Sequence, residues 1–271
     1  ENNIIYTIIY NLPIYFYYLL KIIHFIIIMG STTVTKETTT RLLKDIKEIL
    51  EFSNNNSNIF YQHDDEHMLI GYALIVGPSD TPYEYGFYMF KFDFPTNYPY
   101  SPPKVTYLTN DGNVRYHPNF YKNGTCCLSI LNTWRGEQWT SCQTILSVLL
   151  SIASLLQNNP LLQEPGIRTG HPDLDKYNSI ISYKNIDFSI IKIIETALYH
   201  QAHDDDSTLQ ICVLLFKNKI LESFSNNHAN ILDKAQKLSY NSNKTLTTSM
   251  YQIKIHADYK NMQDSLLKIE I

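Results

Sequence analysis

Apolar residues first recur at helical spacing in "RLLKDIKEILE": Leu42, Leu43, Ile46, Ile49 and Leu50 fall on one side, and Arg41, Lys44, Asp45, Lys47 and Glu48 on the other. The spacing predicts an amphipathic helix that needs a partner surface. Asn54 to Ser57 breaks it, and three strand-like runs follow, "MLIGYALIV", "GFYMFKFDF" and "KVTYL". In the second run, Tyr88, Phe90, Phe92 and Phe94 alternate with Phe87, Met89, Lys91 and Asp93, which is strand periodicity. The connectors "GPSDTPYEYG" and "FPTNYPYSPPK" hold six of the eleven prolines, so they are stiff turns. A helix packed on a meander is the economical arrangement. Further on, "TSCQTILSVLLSIASLLQ" is apolar nearly all round, with Thr140 and Ser141 as N-cap candidates, and predicts a buried central helix. "DKYNSIISYKNIDFSIIKIIETAL" predicts another helical tract, and "ICVLLFKNKILESF" and "ANILDKAQKL" predict two more helices. The final thirty residues have too little periodicity to assign.

Composition narrows the functional classes. The chain has 271 residues, 44% hydrophobic and 18% charged, enough for one sizeable core plus an appendage or for two small domains. A net charge of −4, without a long Lys/Arg block, disfavours a nucleic-acid partner. Four cysteines, two of them adjacent and none in C-x-x-C spacing, read as reduced thiols in a cytosolic compartment; Cys142 and Cys212 are expected to be small buried side chains. "HDDEH" sets His63 and His67 four apart, but in a polar turn with no third ligand cluster, so neither a metal nor a cofactor is expected.

Residues 1–28 differ from the rest. From Ile4 to Ile28 the run is almost wholly Ile, Tyr, Leu and Phe, and 25 helical residues reach about 37 Å, enough for the roughly 30 Å bilayer core. Asn11, Pro13, Lys21 and His24 interrupt it, so it reads either as an anchor or as an upstream tract or gene-model artefact before Met29. A membrane partner follows only from the first reading. "MGSTTV" lacks the Ser or Thr at its sixth position, Val34, that a myristoylation start needs.

The chemistry-bearing stretch is "HPNFYKNGTCCLSIL", residues 117 to 131. In an extended segment neighbouring side chains point to opposite faces, so one of Cys126 and Cys127 can meet solvent while the other is buried. The order G-P-x-x-T-P-Y, F-P-x-x-Y-P-x-x-P-P, H-P-N, a cysteine eight residues beyond the Asn within G-x-x-C-L-x-I-L, then Trp and a long apolar helix, resembles the ubiquitin-conjugating enzymes, or E2s, over roughly Thr39 to Ile190. "CLSILNTWRGEQW" and "NNPLLQEPG" are most similar to the E2 subgroup that includes the enzyme charged by the alternative ubiquitin E1 and the catalytic domain of the giant inhibitor-of-apoptosis E2/E3 hybrid.

That resemblance implies an α+β UBC fold: an N-terminal helix on a four-stranded antiparallel meander, a buried central helix, then a helical extension. It divides the chain into a tract 1–28, a lead 29–38, a catalytic domain 39–199 and an extension 200–271. The implied activity is acceptance of ubiquitin, or a ubiquitin-like modifier, from an E1 that consumes ATP, and transfer to lysines of protein substrates, usually with an E3, in the cytoplasm or nucleus. Cys127, the cysteine before Leu, is the implied nucleophile; Cys126 is read as packing, with a redox partner or alternative acceptor as the other reading. Asn119 is implied either to stabilise the oxyanion or to hold the nearby loop, and His117 to tie its turn. Glu164 aligns with an acidic gate residue near the incoming lysine, although "PLLQEP" is longer than the usual gate segment.

Arg41, Lys44 and Lys47 resemble the basic face that meets E1, with a solvated helix face as the bland alternative. Tyr100, and Ser141 and Cys142 in the second loop, occupy E3-facing positions, although Thr140-Ser141-Cys142 replaces the usual Ser-Pro-Ala; Ser129 replaces a common Asp. An E2-fold adaptor without catalysis and a membrane-tethered E2 are the competing readings. The catalytic motifs end by Gly166, so the tail is expected to choose partners and not to serve the chemistry.

Overall fold

The structure, a computed structural model, describes residues 34–56, 58–203 and 206–269; the hydrophobic tract 1–28 lies outside the described residues. Helix α1 (Lys36–Asn54) begins at Thr35, whose side-chain oxygen accepts from the Thr38 N–H. It buries Leu42, Ile46 and Ile49. The same face also buries Asp45, which sequence periodicity assigned to solvent. Arg41 Nε donates to that carboxylate at 2.7 Å and the Tyr98 hydroxyl donates to its other oxygen. Burial, opposed by those two donors, pushes the Asp45 pKa up.

Strands β1 (Ile59–His63), β2 (Ile70–Val76), β3 (Phe87–Asp93) and β4 (Lys104–Tyr107) pair antiparallel in chain order. Opposed residues share a face, so the register puts Tyr61, Ala73, Phe90 and Tyr107 on one side and Phe60, Leu74 and Met89 on the other. The first face is closed by rings from outside the sheet: Phe120 stacks on Tyr107 at 4.9 Å and meets Phe90 edge-on at 5.5 Å. In β3, Phe87, Tyr88, Met89 and Phe90 are all buried. The second face is covered as well, by helices from the far end of the chain, and a strand buried on both sides needs apolar residues at every position.

Helix α2 (Ile145–Leu155) is capped by Thr144, not by Thr140 or Ser141. Ser147 and Thr144 form a reciprocal capping box, whereas Thr140 to Gln143 close a turn. The helix buries Ile145, Val148, Leu149 and Ile152, but Leu150 is exposed, so one stripe is covered and not the whole surface. Helix α3 (Leu174–Lys184) continues through a π-helical stretch, Asn185–Lys192, into α4 (Ile193–Tyr199). Asn185 fixes this stretch to the sheet by accepting from the Tyr88 hydroxyl at 2.5 Å and donating to the Glu84 carbonyl at 2.8 Å. Gly86 permits that approach, because a Cβ there would sit 1.9 Å from Asn185 Oδ1.

Beyond it, α5 (Thr208–Leu215) packs on β3, and α6 (Lys217–Ser239) runs unbroken through the place where two helices were expected to part. The break falls at Phe216. Ile220, Phe224, Ile231 and Ala235 keep one buried stripe along α6, which removes any reason to end it at Ser225. The unassigned final residues form a hairpin, β5 (Lys244–Thr247) with β6 (Lys254–Ala257), and helix α7 (Tyr259–Leu267). Lys219 Nζ lies 5.7 Å from the Phe60 ring centre, and Lys234 pairs with Glu84 at 2.8 Å. Cys212, Phe224, Ile253, Tyr259 and Leu266 belong to the same buried cluster as the sheet residues. Among the described residues, no helix is long and apolar enough to cross a membrane.

Candidate active site

The eight-residue spacing from Asn119 to Cys127 is a hairpin register. The Thr125 carbonyl accepts from Tyr121 N–H, the Asn119 carbonyl accepts from Cys127 N–H at 2.9 Å, and Phe120 bridges Cys126 between them. Gly124 turns the chain at φ +85°, which suits glycine. Opposed residues share a face. Asn119 and Cys127 therefore lie on one side, and Phe120 and Cys126 on the other, buried among the sheet aromatics. The Asn119 amide nitrogen donates to the Cys127 carbonyl at 2.5 Å, so the two strands are tied through side chain and backbone alike.

The two thiols are thus separated by environment. Cys127 is half-buried and Cys126 is buried, and burial pushes the Cys126 thiol far above its ordinary value. A thiol sealed from solvent in this way serves as packing. Thr133, which sequence reading passed over, locks this run: its hydroxyl donates toward the Cys126 carbonyl at 2.9 Å and accepts from Leu128 N–H at 2.9 Å. Cys142 is exposed, which corrects its expected burial, because the 140–143 turn holds it off the core; Cys212 is buried.

His117 is fully buried, and its Nδ1 accepts from the Asn119 N–H at 3.0 Å. Its Nε2 faces the Leu155 backbone and makes no well-formed hydrogen bond among the described residues. Desolvation lowers its pKa to about 3. The imidazole is neutral at pH 7 and fixes the turn. Since the unfolded chain takes up this proton near pH 6.5 and the folded one only near pH 3, stability is full above pH 6.5 and falls as pH drops toward 3. The slope from this group is at most about 1.4 kcal/mol per pH unit. Chemical denaturation between pH 7 and 4 should show a shallower slope for His117→Asn, by up to one proton.

Buried tyrosines hold the segment before His117. The Tyr83 hydroxyl donates to the Tyr116 carbonyl at 2.7 Å, and the Tyr177 hydroxyl to the Arg115 carbonyl at 2.6 Å. The Arg115 guanidinium lies over two rings, Tyr121 at 3.8 Å and Tyr251 at 4.3 Å, and donates to the Pro118 carbonyl. Glu164 follows a short 3₁₀ turn, Pro160–Gln163, after α2, and accepts from the Tyr251 hydroxyl at 2.5 Å. Tyr251 comes from the loop between β5 and β6, far beyond the last motif. No local signal in the sequence points to it.

The expected partner-facing residues lie elsewhere. Arg41 is spent internally, paired with Asp45 and donating to the Ser141 and Gln143 carbonyls, which staples α1 to the 140–143 turn. Lys44 and Lys47 are exposed on the outer side of α1, with Lys47 3.7 Å from Glu51. Tyr100 is exposed and its hydroxyl donates to Glu37; Ser141 and Cys142 are exposed in the turn. His63 is engaged on both ring nitrogens, by the Tyr61 hydroxyl at 2.8 Å and the Met68 carbonyl at 2.9 Å. Among the described residues no His, Cys, Asp and Glu side chains cluster to hold a metal.

With this geometry in view, the family model described as ubiquitin-conjugating enzyme matches residues 41–169, a span that includes Asn119, Cys127 and Glu164. Over those residues the chain is similar to the ubiquitin-conjugating enzyme family. Human ubiquitin-conjugating enzyme E2 Z is 43% identical over 158 residues, covering 57% of this chain and 44% of that protein. The E2 domain of the human dual E2/E3 ligase BIRC6 is matched at 44% identity over 119 residues, 42% of this chain and 2% of that protein. Among solved structures, human E2 G1 is 30% identical, with 45% of this chain and 97% of that chain covered and a TM-score of 0.39. The match spans 44% to 50% of the length of its E2 Z relatives. The chain has the α+β UBC fold, with a helix and a four-stranded meander beside the Asn119–Cys127 hairpin.

Proposed function

We propose that this protein accepts ubiquitin from an E1 as a thioester on Cys127 and passes it to a lysine of a protein substrate, usually with an E3. One observation carries the reading: of two adjacent thiols, the one in register with Asn119 is half-exposed while its neighbour is sealed in the core. In the first step the Cys127 thiolate attacks the E1-bound acyl carbon; a C–S bond forms and the E1 thiolate leaves. A thiol of ordinary pKa about 8.5 already supplies a few per cent thiolate at pH 7. In the second step a neutral lysine amine attacks the same carbon, the C–N bond forms, the C–S bond breaks to the Cys127 thiolate, and the amine proton passes to that thiolate through solvent.

A lysine amine of pKa about 10.4 is neutral in fewer than about one molecule in a thousand at pH 7, so the site must orient or desolvate it. Glu164 supplies a carboxylate for this purpose. Asn119 holds the Cys127 loop with one amide N–H, and its other N–H is available to the oxyanion. Lys44 and Lys47 offer charge to E1, while Tyr100, Ser141 and Cys142 face E3.

Incubation with E1, ATP and a panel of modifiers tests the reading: a reductant-sensitive adduct with ubiquitin supports it, and no adduct with any modifier leaves only an adaptor. In the same assay Asn119→Ala should load normally but discharge to free lysine about a hundredfold more slowly in single turnover. Wild-type discharge by this variant would remove Asn119 from the mechanism.

A further inference from the structure

The C-terminal segment touches Glu164 through Tyr251. Its backbone is left-handed, at φ 59°, a conformation uncommon for an aromatic residue. It places the ring over the Arg115 guanidinium and the hydroxyl on Glu164. Arg115 Nε is buried and has no hydrogen-bond partner among the described residues. Tyr251 therefore touches a carboxylate at its hydroxyl and, at its ring face, a guanidinium with an unsatisfied N–H. Such a pair normally closes into a charge-assisted hydrogen bond, and here each is met by Tyr251 instead.

We infer that Tyr251 is a positioning residue that holds the Glu164 carboxylate off Arg115 and keeps it available to the acceptor lysine. This rests on the conjugating-enzyme reading above and extends its site to the β5–β6 loop. The reasoning is electrostatic. A carboxylate paired with Arg115 has its charge neutralised and both oxygens engaged, so it attracts and orients an incoming ammonium poorly. A phenol donor satisfies one oxygen without cancelling the charge. Through Arg115, which donates to the Pro118 carbonyl beside Asn119, the same ring also braces the loop that carries the hairpin.

The experiment uses the full chain, charged with ubiquitin and freed of E1, and follows single-turnover discharge against lysine concentration. Tyr251→Phe keeps the ring and removes only the donor; Tyr251→Ala also opens the path to Arg115. Both should charge within about twofold of wild type. Discharge at low lysine should fall about tenfold in Tyr251→Ala, the scale of one hydrogen bond to a charged group, and less in Tyr251→Phe, while the rate at saturating lysine changes little. Hydroxylamine, an amine already neutral at pH 7, should discharge all three proteins alike. In a Glu164→Gln background neither Tyr251 change should cause further loss.

Folding is checked by circular dichroism, and Tyr251→Phe, nearly isosteric, keeps the test decisive if the alanine variant unfolds. Wild-type behaviour of folded Tyr251→Phe and Tyr251→Ala at low lysine would overturn the inference, as would a parallel loss with hydroxylamine or undiminished loss in the Glu164→Gln background. A wild-type protein that never charges would instead overturn the conjugating-enzyme reading itself.

Discussion

Cys127→Ala will form no adduct with ubiquitin in the presence of E1 and ATP, and Cys127→Ser will form one that survives thiol reductant, because an oxygen ester replaces the thioester. Cys126→Ala will still form the reductant-sensitive adduct. The expectation follows from register: Cys127 opposes Asn119 on the half-exposed side of the hairpin, and Cys126 lies behind it with Phe120. Cys126→Ser is the harsher test, since a hydroxyl at that buried position needs a partner and costs about 1–3 kcal/mol without one. It should lower the melting temperature yet leave charging intact. Gel analysis with and without reductant reads all four variants, and a folded Cys126→Ala that fails to charge would move the nucleophile by one residue.

Truncation after Tyr199 is expected to yield an aggregated or unfolded protein, not an active catalytic core. Sequence reading suggested the opposite, because every catalytic motif ends by Gly166. The structure argues against that expectation: α5 packs against β3, Met89 of β3 and its β2 partner Leu74 are fully buried on the second face of the sheet, and removing the tail exposes this face to water. Each buried apolar side chain of that size contributes about 1.5–3 kcal/mol, against a total stability of about 5–15 kcal/mol. Loss of the tail also frees Glu84 from Lys234, Asp173 from Ser249 and Met250, and Glu164 from Tyr251. Gel filtration and circular dichroism of the 34–199 fragment decide the matter; a monomeric, cooperatively melting fragment would show that the tail is dispensable to the fold.

Local patterns were enough for what depends on near neighbours in the chain. The amphipathic period of α1, the Gly, Pro and Asn turns and the apolar runs of β2 to β4 each state a local preference strong enough to survive folding. The Asn119 to Cys127 spacing is likewise local, since a hairpin centred on Asn123 brings the two residues opposite each other through backbone bonds alone. Alternation also separated the two adjacent thiols into one that can meet solvent and one that is buried. Where competing local signals were close in strength, sequence erred: the cap of α2 went to Thr144 because Ser147 could answer it, and α6 ran on because its buried stripe did.

Only tertiary structure could decide which charges are spent and which remain free. Arg41 and Asp45 look solvent-facing by period, yet Tyr98, 53 residues from Asp45, and the Ser141 and Gln143 carbonyls, 100 and 102 residues from Arg41, engage both. The Glu164–Tyr251 bond spans 87 residues, and neither partner's neighbours announce it. Contacts of that range are fixed by how α5, α6 and the final hairpin pack on the sheet, because burial energy depends on the surface brought together and not on distance along the chain. The Asn119–Cys127 register was therefore written in one hairpin, while the surroundings of the Glu164 carboxylate were set by the far end of the chain.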